Sequence, residues 1–264
     1  GRRRRARDGA GRHGAVRTMR WRLCFDENHA VLGERLVGLV SPAFEARPER
    51  VGRIEGALAG RAAGGLPVMD FKLECLLAAI AEEQGWFVWS DADVQPLVSA
   101  TRLRDAIQEQ IARVSSEVDV LAQREFDDAG VNVGFLVVRA SEGAARLFRD
   151  CRAAMQRSRA LDQKCLNEMI LNGSAPNLRR LPAAFWASSN ALRRPSFETL
   201  LLHHANFVVC RADSRDPTPK LQQLERLAAV VLSRDRRAWA AFVDDIAADP
   251  SLAKYRARHF PLEA

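Results

Sequence analysis

Trp86-Phe87-Val88-Trp89-Ser90-Asp91-Ala92-Asp93-Val94 is an apolar, strand-forming run that breaks at once into two acids separated by one residue. A short run of this kind reads as a buried strand of an α/β sheet. Ligands in open α/β sheets sit just beyond the carboxyl ends of the strands. Alternate side chains of an extended segment share a face, so Asp91 and Asp93 point at one spot on the rim of the sheet. Two carboxylates held together repel each other, and a divalent cation relieves that repulsion. Hard oxygen ligands suit Mg²⁺, Mn²⁺ or Ca²⁺, which complete their shells with phosphate oxygens. An isolated Asp-x-Asp is more often an acidic loop facing water, so the rest of the chain has to decide.

On the N-terminal side, Phe71, Cys75, Leu76, Ala79 and Ile80 recur at helical spacing, which predicts a helix over Asp70 to Gln84 stopped by Gly85. Helix, strand and acid pair thus follow in the order of an alternating α/β sheet. Further upstream, Trp21 to Phe25 reads as a short strand ending at Asp26. Residues 29–40 fit helix or strand, and 41–66 read as loop with one helix near 49–59. Downstream, 101–113 read as an amphipathic helix, Val118 to Ala122 as a strand, and Val131 to Val138 as another. The acidic loop Glu125-Phe126-Asp127-Asp128 joins those two strands, and Gly134 marks a point of close approach by backbone or ligand. Ser141 caps a helix to Ser158. A second helix runs from Asp162 to Leu171, and Leu181 to Trp186 is strand-like. Lys220 heads a C-terminal helical region. No internal repeat is visible.

Composition narrows the classes. The 264 residues are 47% hydrophobic and 28% charged, a globular balance. The net charge of +7 belongs to one end: residues 1–22 hold nine Arg against one Asp, so residues 23–264 sum to about −1. Residues 1–20 therefore read as a basic, disordered tail, and 21–264 as a single domain. No basic patch interleaved with aromatics runs through the body, which argues against nucleic acid as a partner. The five cysteines include no Cys-x-x-Cys pair, and Cys75 and Cys151 read as core thiols. No apolar stretch is long enough to span a membrane. Asn172-Gly173-Ser174 is a glycosylation acceptor with meaning only in a lumenal protein.

Taken together, the motifs resemble the nucleotide-diphospho-sugar transferase family of GT-A fold, which includes plant cell-wall xylosyltransferases. The resemblance is carried by Lys72, by Ser90-Asp91-Ala92-Asp93-Val94, by Asn132-Val133-Gly134-Phe135 with Val137-Val138-Arg139, and by Asp162-Gln163-Lys164-Cys165-Leu166-Asn167. Phe185-Trp186, His204-Ala205-Asn206-Phe207 and Lys220 complete it. It implies an α/β fold, a GT-A type Rossmann-like mixed sheet with flanking helices. It implies Mn²⁺ (or Mg²⁺) held by Asp91, Asp93 and His204, with His203 left out. Lys72 and Lys220 would neutralise the diphosphate of a UDP-sugar donor. Asn132 and Gly134 would line the sugar and acceptor side. Asp162 and Gln163 would sit beside the transferred sugar as catalytic candidates, with Asp127 as a further candidate nucleophile. Taken alone, Phe185 and Trp186 are more often core than pocket. The implied partners are a nucleotide sugar and a glycan or glycoprotein acceptor. The implied outcome is retention of configuration, and the implied location is the Golgi lumen. Transferases of this fold open with a strand that contacts the nucleotide base. Trp21 to Phe25 looks more like the second strand, so the expectation is a domain lacking the first.

Two other classes use the same residues. A non-catalytic sugar-nucleotide or glycan-binding module would keep the fold without turnover. A phosphohydrolase would need more acids than Asp127, Asp128 and Asp162 to bridge two metals.

Overall fold

In β1 (Arg20–Asp26), Trp21, Leu23 and Phe25 are buried while Arg20, Arg22 and Cys24 on the opposite face are half-buried. That period of two makes β1 a strand with two unlike faces. It lies inside a six-stranded sheet with β2 (Glu45–Val51), β3 (Trp86–Ser90), β5 (Val120–Glu125), β6 (Gly130–Arg139) and β7 (Leu178–Arg180), in the order β2-β1-β3-β6-β5-β7. The pairings are parallel except that β6 runs antiparallel to both its neighbours. This is the mixed α/β sheet expected. The computed structural model describes residues 18–51, 66–125, 130–191, 196–208 and 216–259. Residues 1–17 of the basic tail, Asp127, Asp128 and Cys210 lie outside them.

Trp21, Leu23, Phe25, Val88, Phe135 and Val137 form one face of the sheet, covered by α1 (Ala30–Val40) and α3 (Ala100–Ala112). Phe87, Trp89, Val120, Ala122, Leu136 and Val138 form the other. It is covered by α2 (Leu66–Glu82), α4 (Glu142–Ser158) and α5 (Asp162–Leu171). Cys75 and Cys151 are buried there, as their helical patterns implied. A third core gathers Trp186 with Leu227, Trp239, Phe242 and Ile246. These helical residues come from α6 (Thr218–Ser233) and α7 (Arg236–Ala247), which α8 (Pro250–His259) follows. The C-terminal region is broken into helices at Arg234, whose φ of 53° ends α6, and at Asp235, whose side chain caps α7. Among the described residues no helix is long and apolar enough to cross a membrane.

Three local readings are corrected. The region near 49–59 begins as strand, since Glu45–Val51 is β2, an edge strand paired along its length with β1, and residues 52–59 lie outside the described residues. Pro48 is tolerated because an edge strand has one side free of ladder bonds. Leu181 to Trp186 is not one strand. β7 ends at Arg180, the chain turns through Pro182, and β8 (Phe185–Ala187) begins at Phe185. Glu125, assigned to a loop, closes β5 and is fully buried. As for a first strand, β1 and β6 pair both edges of β3, and the Trp21 indole donates to Ser90 Oγ at 2.8 Å across the β1–β3 pair.

A small second sheet, β4 (Val94–Pro96), β9 (Leu202–His204) and β8, matters most for function. Asp91, Ala92 and Asp93 are the link from β3 into β4, and Val94 sits opposite His204 in the β4–β9 register. Ala205 N donates to the Asp93 carbonyl at 2.9 Å. A residue far along the chain is thereby fixed beside the acid pair.

Asp119 shows how the opposite end of the sheet is closed. Its carboxylate accepts from Arg139 Nε (2.9 Å), Ser141 Oγ (2.8 Å) and Asn177 Nδ2 (2.8 Å). Burial would raise this carboxyl, but those partners hold it below the ordinary range. A depressed folded-state value adds stability above the unfolded value of about 3.9 and loses it as pH falls below that. Asp119→Ala should therefore cost about 1–2 kcal/mol at pH 7, read from urea midpoints, with the gap to wild type narrowing below about pH 4.

Candidate active site

The acid pair lies where the two sheets meet. Asp91 is held by its backbone N–H, which donates to the Gly134 carbonyl at 2.8 Å. Asp93 is 4% exposed. His204 Nε2 lies 3.2 Å from Asp93 Oδ1 and 3.8 Å from Asp91 Oδ2, and one ligand atom from each of the three residues falls within 4.8 Å of the others. Two carboxylates and one imidazole around a common point suit a divalent cation, and Mn²⁺ accepts that mixed set more readily than Mg²⁺ does.

Gly134 makes this approach possible. A Cβ placed there would lie 2.0 Å from His204 Cε1 and 2.7 Å from both Asp91 Oδ2 and His204 Nε2. The β5–β6 register explains the position. Ala122 pairs with Leu136 but Gln123 pairs with Asn132, so Gly134 lies in a bulged stretch with no partner on β5. Bulges of this kind re-aim side chains beside functional sites.

Both expected lysines reach the acids. Lys72 comes from α2 and its ammonium lies 2.7 Å from Asp91 Oδ1 and 4.0 Å from Asp162 Oδ2. Burial opposes its charge, yet Asp91 and Asp162 outweigh that and raise its pKa. Lys220, in the first turn of α6, pairs with Asp93 Oδ2. Burial would raise Asp93, but Lys220 and His204 hold it well below the usual carboxylate range. Asp162 opens α5, and its Oδ1 accepts from Gln163 N at 2.7 Å. Its buried Oδ2 has no hydrogen-bond partner, and burial pushes this carboxyl up while Lys72 opposes the shift.

Behind these groups is a polar cluster centred on Glu125. Gln163 Nε2 and Asn132 Nδ2 (3.1 Å) donate to Glu125 Oε2, while Ser189 Oγ (2.5 Å) and Asn206 Nδ2 (2.8 Å) donate to Oε1. Asn132 Nδ2 also reaches Gln163 Oε1 at 3.0 Å, and Asn132 Oδ1 accepts from Gly134 N at 2.7 Å. Asn132 therefore connects the pair on α5 to the glycine beneath the acids.

Nine of the residues singled out in the sequence converge: Lys72, Asp91, Asp93, Asn132, Gly134, Asp162, Gln163, His204 and Lys220. His203 does not join them. It alternates to the other face of β9, packs with its ring tilted and 4.7 Å from that of Trp186, and burial with His204 nearby lowers its pKa to about 3. Phe185 stacks on Phe135 at 5.7 Å and Trp186 packs on Trp239 at 5.3 Å, so both are core. Sequence reasoning missed Glu125, Gln123 and Ser189. For Glu125 a partial signal was present: it lies three residues beyond the strand-forming run Val118 to Ala122.

Comparison with known proteins bears on this geometry. No curated protein matches the chain. A glycosyltransferase involved in glycosylation of the major capsid of PBCV-1 is similar in structure, with 14% identity and a TM-score of 0.53 over 78% of this chain and 98% of that one. The glycosyltransferase GlyE of Streptococcus pneumoniae TIGR4 has 12% identity and a TM-score of 0.46, covering 82% and 64% of the two chains. Mouse xyloside xylosyltransferase 1 has 9% identity and a TM-score of 0.40, covering 71% and 97%. The PBCV-1 match is a likeness of fold, in keeping with the GT-A type sheet. The family profile of the nucleotide-diphospho-sugar transferases matches residues 75–231. Because that match takes in more than half of the residues, including the acid pair, the histidine opposite it and Lys220, the chain belongs to the nucleotide-diphospho-sugar transferase family.

Proposed function

We propose that this glycosyltransferase is metal-dependent. It moves a sugar from a UDP-sugar to a hydroxyl of a glycan or glycoprotein acceptor, with retention at the anomeric carbon. The observation that carries the metal reading is the convergence of Asp91, Asp93 and His204 on one point that only a glycine at 134 leaves open. These three side chains would hold Mn²⁺, which, when bound, supplies charge stabilisation for the departing diphosphate.

The chain's own residues do the remaining work. Lys72 and Lys220 stand on either side of the acid pair and turn their ammonium groups to phosphate oxygens as negative charge builds there. Asp162 Oδ2, buried and without a hydrogen bond, accepts from a sugar hydroxyl and faces the positive charge that develops at the anomeric carbon. Gln163 presents a carboxamide whose orientation is fixed by Glu125 and Asn132. Retention then follows from attack on the leaving-group face, with the acceptor proton passing to the departing phosphate oxygen. The resemblance to plant cell-wall xylosyltransferases supports uridine as the base and the Golgi lumen as the place of action.

Thermal denaturation with UDP, with and without MnCl₂, tests this reading. A ligand at about 100 times its dissociation constant stabilises by roughly 2.7 kcal/mol. The expected result is a shift of that order only when Mn²⁺ and UDP are both present. A folded protein that responds to no nucleoside diphosphate under either condition would sink the proposal.

A further inference from the structure

We propose that Gln123 is a positioning residue for the metal centre: it fixes the ring of His204 so that the Nε2 lone pair faces Asp91 and Asp93. This rests on the metal reading above and adds to it a residue outside the ligand set. Gln123 Oε1 lies 3.1 Å from His204 Nδ1. A carboxamide oxygen only accepts, so Nδ1 carries the proton and Nε2 is left as the ligand atom. That nitrogen is the one turned to the two carboxylates. A ligating histidine typically gives its other ring N–H to an acceptor that sets tautomer and orientation.

Two further observations separate this role from simple packing. Gln123 is fully buried in a strand whose preceding residues, Val120, Leu121 and Ala122, are apolar, and its Nε2 has no hydrogen-bond partner. A side chain kept only to fill space there would be apolar, because an unmatched buried donor is unfavourable. The register shift in β5–β6 also falls between Ala122 and Gln123, the point where the strand re-aims its side chains. Without the Gln123 acceptor, the imidazole gains by moving its proton to Nε2 and donating to Asp93, and a metal must then displace that hydrogen bond.

The experiment is titration of the full chain with MnCl₂. Free Mn²⁺ is followed by electron paramagnetic resonance, and nitrogen coupling to bound Mn²⁺ is read by pulsed methods. Wild type should bind Mn²⁺ with a histidine nitrogen coupling. Gln123→Met, of similar volume and without the acceptor, should bind about 10–100-fold more weakly and lose that coupling. Gln123→Glu retains an acceptor and should keep both. Gln123→Met with wild-type affinity and coupling would overturn the inference. So would a folded Gln123→Glu protein that has lost the coupling, which keeps the test decisive if the Met variant does not fold. Wild type that binds Mn²⁺ without nitrogen coupling also overturns it, since Nε2 is then not the ligand. Wild type that binds no Mn²⁺ removes the metal reading and this inference together.

Discussion

Gly134→Ala should remove divalent-metal binding from an otherwise folded protein. The new Cβ falls 2.0 Å from His204 Cε1 and 2.7 Å from Asp91 Oδ2, well inside contact distance. Neither side can give way easily. The backbone at 134 is held by Asp91 N donating to its carbonyl and by its own N–H donating to Asn132 Oδ1. The His204 ring is buried and tethered to Gln123. The side chains of Asp91 and His204 must therefore move, and they are two of the three candidate ligands. The requirement is for space rather than for backbone freedom, since among the described residues the glycines with positive φ are Gly85 and Gly173. Mn²⁺ affinity should fall by at least about 100-fold, while overpacking costs about 1–3 kcal/mol of stability. Calorimetric titration and thermal unfolding of the same sample would check both. A Gly134→Ala protein with wild-type Mn²⁺ affinity would show that the acids and the histidine do not share a ligand.

Asp93→Ala should abolish the Mn²⁺-dependent stabilisation by UDP, a loss of at least the roughly 2.7 kcal/mol expected for wild type at saturating ligand. The substitution removes one of three candidate ligands, strips the counter-charge from Lys220 and takes away the carboxylate beside the buried His204. Breaking a fully buried pair costs about 3–5 kcal/mol. The Lys220 side chain is one-third exposed and can turn to water, so the intrinsic stability loss should be smaller, about 1–3 kcal/mol. Turnover of a nucleotide sugar should drop by at least about 10²–10³-fold, the scale of losing one electrostatic stabiliser. Retention of the UDP-and-Mn²⁺ shift in Asp93→Ala would remove this residue from the site.

The parts of the fold that were legible in the sequence are those whose signal is local. α2 and α4 announce themselves through helical spacing and, for α4, a Ser cap, and α5 through the acid at its start. β3 announces itself through an apolar run broken by acids. β2 was illegible because Glu45-Ala-Arg-Pro-Glu-Arg-Val51 has no apolar alternation, and only pairing with β1 makes it a strand. The site divides in the same way. Asp91 and Asp93 stand out beside their own strand. Gln123 and Ser189 read as ordinary polar residues until strands and turns from distant parts of the chain close over them. Glu125 sits in an acidic stretch that looks like loop, and its burial is imposed by Asn132, Gln163, Ser189 and Asn206.

The pairing of each acid of the candidate metal site with its own lysine has a consequence for how the pocket fills. Lys72 on Asp91 and Lys220 on Asp93 make the ligand-free pocket an internally neutralised salt, much like an ion-exchange resin in its resting form. A dication arriving alone would displace two ammonium groups from their carboxylates, and the buried Lys72 would be left with only the more distant Asp162, 4.0 Å away, as counter-charge. A diphosphate arriving alone meets lysines already committed to carboxylates. Arriving together, the cation takes the acids and the phosphates take the lysines, so every charge trades one partner for another. On grounds of charge balance, the pocket would therefore take the neutralised pair more readily than either half by itself.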